Sequence, residues 1–229
     1  MRNKNVTALV QRAESQLSSI RGTYEKALHE KLVDEALKID IKNLCENLRS
    51  ALDYIAHDIR EKSCPSASTR DRFYFPILPD SASFVRQTAQ WFPGLATAAP
   101  KIYGLLESIQ PYQDGYAWLG LFNRLNNENK HGNLVEQTKT ETRRVNVKIQ
   151  GGGQVSWNLG SVRFGPGVLI GGVPVNPATQ MPVPHPSQTV EVVTWVDFRF
   201  SGIEASALAL LTDATKGVKI IADGVYAVL

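Results

Sequence analysis

Residues 41–59 read IKNLCENLRSALDYIAHDI, and the spacing of their apolar side chains decides the fold class. Ile41, Leu44, Cys45, Leu48, Leu52, Ile55 and Ile59 recur at three- and four-residue steps, so a helix lines them up in one stripe. The residues upstream repeat the pattern with Val6, Leu9, Val10, Ala13, Leu17, Ile20, Tyr24, Ala27 and Leu28. No Gly or Pro falls within residues 29–40, so the boundary between the two helices, near Asp34, is soft. Two long helices with one apolar stripe each must bury those stripes against each other and against further helices. The chain opens as a helical bundle.

Downstream, residues 63–80 (SCPSASTRDRFYFPILPD) break the helical period with three prolines and a serine cluster, which predicts an ordered loop whose FYFPI segment packs across the bundle. A short helix is expected over 81–92, ended by Pro93-Gly94. Pro100 opens another through Ile102, Leu105, Leu106 and Ile109, which Pro111 stops. A fifth runs from about Asp114, with Trp118, Leu119, Phe122 and Leu125 apolar, to near Gly132.

After residue 138 the period becomes two. Val145, Val147 and Ile149 alternate with Arg144, Asn146, Lys148 and Gln150, the pattern of a half-buried strand. Gly151-Gly152-Gly153 signals a turn, 154–164 a returning strand, and 168–175 a third. A proline-rich loop precedes the strongest strand, 189–200, with Val190, Val192, Val196, Phe198 and Phe200 on one face. A helix over 203–228 closes the sequence, where Gly217 and Gly224 either allow close packing or weaken it. A helix that returns after strands implies an α+β fold: an up-down helical bundle (residues 1–137 plus 202–229) with an antiparallel β-sheet inserted before the last helix (residues 138–201).

The 229 residues are 43% hydrophobic and 21% charged, ordinary for a globule with a core. No stretch reaches the roughly 18 uninterrupted apolar residues of a membrane span, and the basic start MRNKNVTALVQR lacks a signal peptide's apolar block. Cys45 and Cys64 alone build neither a disulfide framework nor a four-ligand zinc site. These features predict a cytoplasmic protein with no membrane partner. The net charge of +3 is unevenly spread: residues 119–165 hold Arg124, Lys130, Lys139, Arg143, Arg144, Lys148 and Arg163 against Glu128, Glu136 and Glu141. A local positive field attracts polyanions, phosphate-rich ones above all.

Nucleotide-binding P-loop, dinucleotide, HExxH and GxSxG signatures are absent, and the four histidines show no ligand spacing, so neither a cofactor nor a metal is expected. One segment stands out, NRLNNENKH at 123–131, inside the positive stretch. If its helix persists, Arg124 and His131 lie two turns apart, roughly 10 Å along the axis, on nearly one face. A guanidinium grips phosphate with two donors and a histidine exchanges protons near neutral pH. Together they form a minimal kit for metal-free RNA cleavage: the histidine deprotonates a ribose 2′-OH, and arginine steadies the charge growing at phosphorus. Asn127 and Lys130 beside them, and Arg143, Arg144 and Lys148 on the exposed face of the first strand, are the candidate RNA contacts. The same residues also read as an ordinary helix C-terminus, with Lys130 and His131 in the last turn, Gly132 at the stop, and asparagines as caps. Asp53 and His57, at i and i+4, read either as an acid–base pair or as a local surface contact.

The Arg124-x6-His131 pair near the end of a late helix resembles the signature of the HEPN superfamily (higher eukaryotes and prokaryotes nucleotide-binding domains), an arginine and a histidine four to six residues apart. LRSALDYIAHDI, the FPI loop, the IQPY turn and LNNENKHGNL together look like an uncharacterised bacterial branch of that group, over about residues 1–135 plus the last helix. The resemblance implies a metal-independent endoribonuclease of a toxin or phage-defence system, acting as a homodimer on RNA, with Arg124 and His131 catalytic and an antitoxin protein as a further partner. Leu125 stands where the family commonly has a polar residue after its arginine. Several branches of the family are catalytically silent, which gives the alternative: an RNA-, nucleotide- or protein-binding or dimerisation module.

Overall fold

The computed structural model describes residues 1–30, 35–68, 70–131, 137–200 and 206–229, with the side chains of 25–30, 129–131, 137–142 and 193–200 outside that description. The chain divides into two compact units, one made of Met1–Thr138 with Arg199–Leu229 and the other of Lys139–Phe198. The fold is mixed α+β. Among the described residues no helix is long and apolar enough to cross a membrane.

The helical unit holds α1 (Asn3–Glu30), α2 (Glu35–Ser63), α3 (Ser81–Trp91), α4 (Leu95–Ala98), α5 (Pro100–Ser108), α6 (Ala117–His131) and α7 (Ala207–Val228). The sequence-drawn break near Asp34, the stop at Gly132 and the start of the last helix at 203–205 lie outside the described residues. α1 and α2 pack along one another, and α7 packs on α1, α2, α5 and α6. α2 is the axis of the core: Leu44, Leu48, Leu52 and Ile55 are fully buried, each worth about 1.5–3 kcal/mol of transfer free energy. Local chemistry sets the helix ends. The Asp80 carboxylate caps α3 by accepting from the Ser83 amide at 2.8 Å, and Pro100 occupies the first turn of α5. α4 was not foreseen. It is a single turn entered through Gly94 at φ +79°, too short to display a period.

One buried carboxylate fastens the unit. Asp58, 1% exposed, accepts from the Arg2 amide (2.6 Å), from Arg2 Nη1 (2.9 Å) and from the Tyr226 hydroxyl (2.8 Å). Burial pushes its pKa up, but the Arg2 and Tyr226 hydrogen bonds outweigh burial and hold it below the ordinary value. Burial and the bond to Asp58 push the Tyr226 phenol up.

The strand unit begins with β1 (Gln137–Ile149), which starts within the helical unit's residues, followed by β2 (Gln154–Asn158). These two pair antiparallel, with Val145 opposite Trp157 and Val147 opposite Val155. Gly151, Gly152 and Gly153 all adopt φ near +100°, which is why the turn uses three glycines. The return strand stops at Asn158, short of the 154–164 expected. The stretch read as a third strand is a small hairpin, β3 (Leu169–Ile170) and β4 (Val173–Asn176), because Gly171 and Gly172 have positive φ and turn the chain. β5 (Met181–Pro182) and β6 (Gln188–Phe200) follow. Among the described residues there are accordingly two three-stranded sheets, ordered β2-β1-β6 and β3-β4-β5, where the sequence suggested one. Val145, Val147, Trp157, Ile170 and Val175 form the unit's core, with the Phe164 ring edge-on to Trp157 at 5.0 Å.

Candidate functional site

The apolar positions Leu119, Phe122 and Leu125 of α6 are fully buried, which turns the opposite side of the helix outward. The rotation of α6 is fixed at two levels. At its start the indole of Trp118 lies on Gly217 of α7, and Gly120 meets the Pro111 ring, a Cβ there falling 3.1 Å from Pro111 Cβ. One turn on, Asn123 Oδ1 accepts from Arg49 Nη1 of α2 at 3.1 Å.

That last bond belongs to a polar ring. Arg49, 8% exposed, pairs with Asp53 at 3.1 Å, and Asp53 Oδ1 accepts from the Phe75 amide at 3.1 Å. Three residues along the loop, the fully buried Gln110 accepts from the Leu78 amide (2.9 Å) and donates to the Pro76 carbonyl (3.0 Å). Pro111, next in sequence, returns to α6 at Gly120. The segments LRSALDY, FPI, IQPY and GLFN (residues 120–123), separate in sequence, are thus one hydrogen-bonded and packed circuit around α6. Asp53 serves Arg49 and the loop amide, while the His57 ring sits edge-on to Phe73 at 4.6 Å; this favours a local structural contact for each over an acid–base pair.

On the outward side, Arg124 is exposed, and its Nε donates to Glu128 Oε1 at 2.8 Å, one turn away. That bond engages one of five guanidinium N–H groups. Asn127 is exposed beside them. α6 continues unbroken to His131, so the backbone positions 124 and 131 are two turns apart on one helix, about 10 Å along its axis. The side chains of Lys130 and His131 lie outside the described residues.

Asn126, which the helix-end reading made a capping residue, is inside the helix and 1% exposed, with neither amide atom hydrogen-bonded among the described residues. Sequence reasoning missed both this buried amide and the ring through Arg49 and Gln110. Only the recurrence of polar residues on the inward stripe could have flagged them.

The basic residues of β1 do not form one surface. Arg144 and Lys148 share the face opposite Val145 and Val147, and Arg144 Nη2 donates to Ser156 Oγ at 3.2 Å. Arg143 is exposed, yet by strand alternation it belongs to the other face, with Val145. The expectation that all three lie on one exposed face is therefore corrected: two do.

A second polar cleft, of about 410 Å³, is lined by Arg2, His57, Arg60, Glu61, Cys64 and Phe73 among others. Its charges are matched internally. Arg2 binds Asp58 and Glu61, and Arg60 donates to the carbonyls of Trp91 (2.5 Å) and Ser68 (2.6 Å) while lying 4.3 Å over the Phe73 ring. Both cysteines are buried free thiols; burial pushes Cys45 up to about 12 and raises Cys64, so neither is a ready nucleophile.

No family model, curated protein or solved structure matches this chain.

Proposed function

We propose that this chain is a HEPN-like, metal-independent endoribonuclease, cytoplasmic and working as a homodimer in a toxin or phage-defence setting. The observation that carries the reading is α6 itself: an uninterrupted helix, locked in rotation by Trp118, Gly120 and Asn123, that turns Arg124 to solvent and reaches His131 two turns later. His131 takes the proton of a ribose 2′-OH. The 2′-oxygen attacks phosphorus, the 5′-oxygen leaves and is protonated by solvent, and Arg124 balances the charge on the phosphoryl oxygens. The products are a 2′,3′-cyclic phosphate and a 5′-hydroxyl. Asn127 and Lys130 on the same helix, and Arg143, Arg144 and Lys148 on β1, are the proposed RNA contacts, and an antitoxin protein is the proposed regulator.

A second reading has its own support. The Arg124–Glu128 ion pair already supplies the guanidinium with a carboxylate, as suits a silent binding or dimerisation module. The test is incubation of the purified chain with mixed RNA in EDTA, beside Arg124→Ala and His131→Ala. The nuclease reading expects each variant to lose at least about a hundredfold in cleavage rate. Cleavage that survives in both variants overturns the site assignment. No cleavage of any RNA leaves the silent module.

A further inference from the structure

The FYFPI stretch of the loop after α2 holds one aromatic ring that the core does not use. Phe75 is 1% exposed, and Phe73 is half-buried against His57 and Phe92, so these two anchor the segment. Tyr74 between them is 50% exposed. Its ring meets Trp91 edge-on, centroids 6.0 Å apart, and Arg49 Cζ lies over it at 5.9 Å from its centroid. Arg49 is itself 8% exposed and held by Asp53 and Asn123, so it backs the ring from the protein side. A cation behind the ring, with half of the residue in solvent, leaves the other face open.

This open face adjoins the α6 site. The same Arg49 donates to Asn123 Oδ1 at 3.1 Å, and Asn123 precedes Arg124 on α6, with the exposed Asn127 one turn further. Charge near the ring has the sign that phosphate needs. Arg72, two residues before Tyr74, is exposed and has no carboxylate partner among the described residues, while Asp71 beside it is taken by Arg60 at 3.2 Å.

An aromatic face beside a free cation takes a nucleobase by stacking and its phosphate by charge. Such a platform accepts any base, since each has a π face, but it needs an unstacked one, which a duplex does not offer.

We infer that Tyr74 is a base-stacking subsite beside the α6 face, and that it takes single-stranded RNA, one base on the open ring face and its phosphate toward Arg72. The inference rests on reading α6 as an RNA-contacting surface, and it holds whether or not the bound strand is cut.

The test is fluorescence anisotropy of the full chain with a short single-stranded RNA carrying 2′-O-methyl groups throughout, which attack by the 2′-oxygen cannot cleave. Tyr74→Ala, Tyr74→Leu and Tyr74→Phe are compared with wild type, each checked for unchanged circular dichroism and melting. Loss of one stacked base raises the dissociation constant at least about fivefold in Tyr74→Ala and Tyr74→Leu, and Tyr74→Phe stays within about twofold of wild type. A packing defect would weaken every RNA alike, so the measurement is repeated with oligonucleotides lacking one base at each position in turn. At one position, removing the base should weaken wild type at least about fivefold and Tyr74→Leu less than about twofold. A duplex of the same sequence should not distinguish the four proteins.

Wild type that binds the single strand no better than Tyr74→Leu overturns the inference and leaves the RNA reading of α6 standing. So does a loss in Tyr74→Leu that base removal nowhere abolishes, or one that the duplex shares. Wild type that binds no RNA overturns both. Where Tyr74→Ala misfolds, Tyr74→Leu against Tyr74→Phe still decides.

Discussion

The indole of Trp118 rests on the backbone of Gly217, so closely that a Cβ built at residue 217 would stand 2.1 Å from Trp118 Cζ2. The sequence left open whether the glycines of the last helix serve packing or merely weaken it. For Gly217 the answer is packing, since α6 and α7 approach here through a ring lying where a side chain would be. Gly217→Ala should destabilise the protein by about 1–3 kcal/mol through overpacking. In a Trp118→Leu background the same change should cost clearly less, and a double-mutant cycle in urea reads the difference.

Asn126 is buried, with both amide atoms unpartnered among the described residues. An unsatisfied buried polar group costs about 1–3 kcal/mol. Asn126→Leu, similar in volume, should therefore raise the unfolding free energy by about 1 kcal/mol or more. A fall in the chemical-denaturation midpoint would show that the amide is paired in solution.

Glu128 competes with phosphate for Arg124. Under the nuclease or RNA-binding reading, Glu128→Gln should tighten RNA binding by up to about fivefold, the equivalent of an exposed ion pair of at most about 1 kcal/mol. Fluorescence anisotropy with a short RNA at constant salt measures it. The same change should leave stability within about 0.5 kcal/mol.

The Asp58 node gives the protein an acid-sensitive fastening. Its carboxyl pKa is lowered in the folded state, so its contribution is fully present above the unfolded value near 4. That contribution is lost as pH falls through the folded pKa. Urea midpoints measured downward from pH 6 should drop below about pH 4, and Asp58→Asn should flatten that part of the profile. Tyr226→Phe should cost about 1.5–3 kcal/mol at neutral pH by removing a hydrogen bond to a charged group.

Strong periodicity made the helices and the two long strands legible. Val145 and Val147 alternate cleanly, and the α2 stripe runs for five turns with the residues named from spacing alone now fully buried. The small elements were not legible. β3, β4 and β5 are two to four residues long, and in such spans the turn glycines Gly171 and Gly172 outweigh any pattern in the strands. Val190 and Val192 show the limit of face assignment: alternation placed them on a common face but said nothing about whether that face is covered. In the candidate site, Arg124 was visible as a charge on the outward side of an amphipathic helix. Arg49, Gln110 and Asn123 were not, because hydrogen bonds between residues 74 or 32 positions apart leave no spacing rule in the chain.

The helical unit is interrupted in sequence by the strand unit, and this has a consequence for biosynthesis. A ribosome releases α1, α2, α5 and α6 with the surface that α7 covers still bare, then has to finish the strand unit, Lys139–Phe198, before α7 emerges. At about 5–20 residues per second, that delay lasts several seconds. During it the nascent bundle is a sticky, lidless trough, and the moment of its closure is set by translation speed.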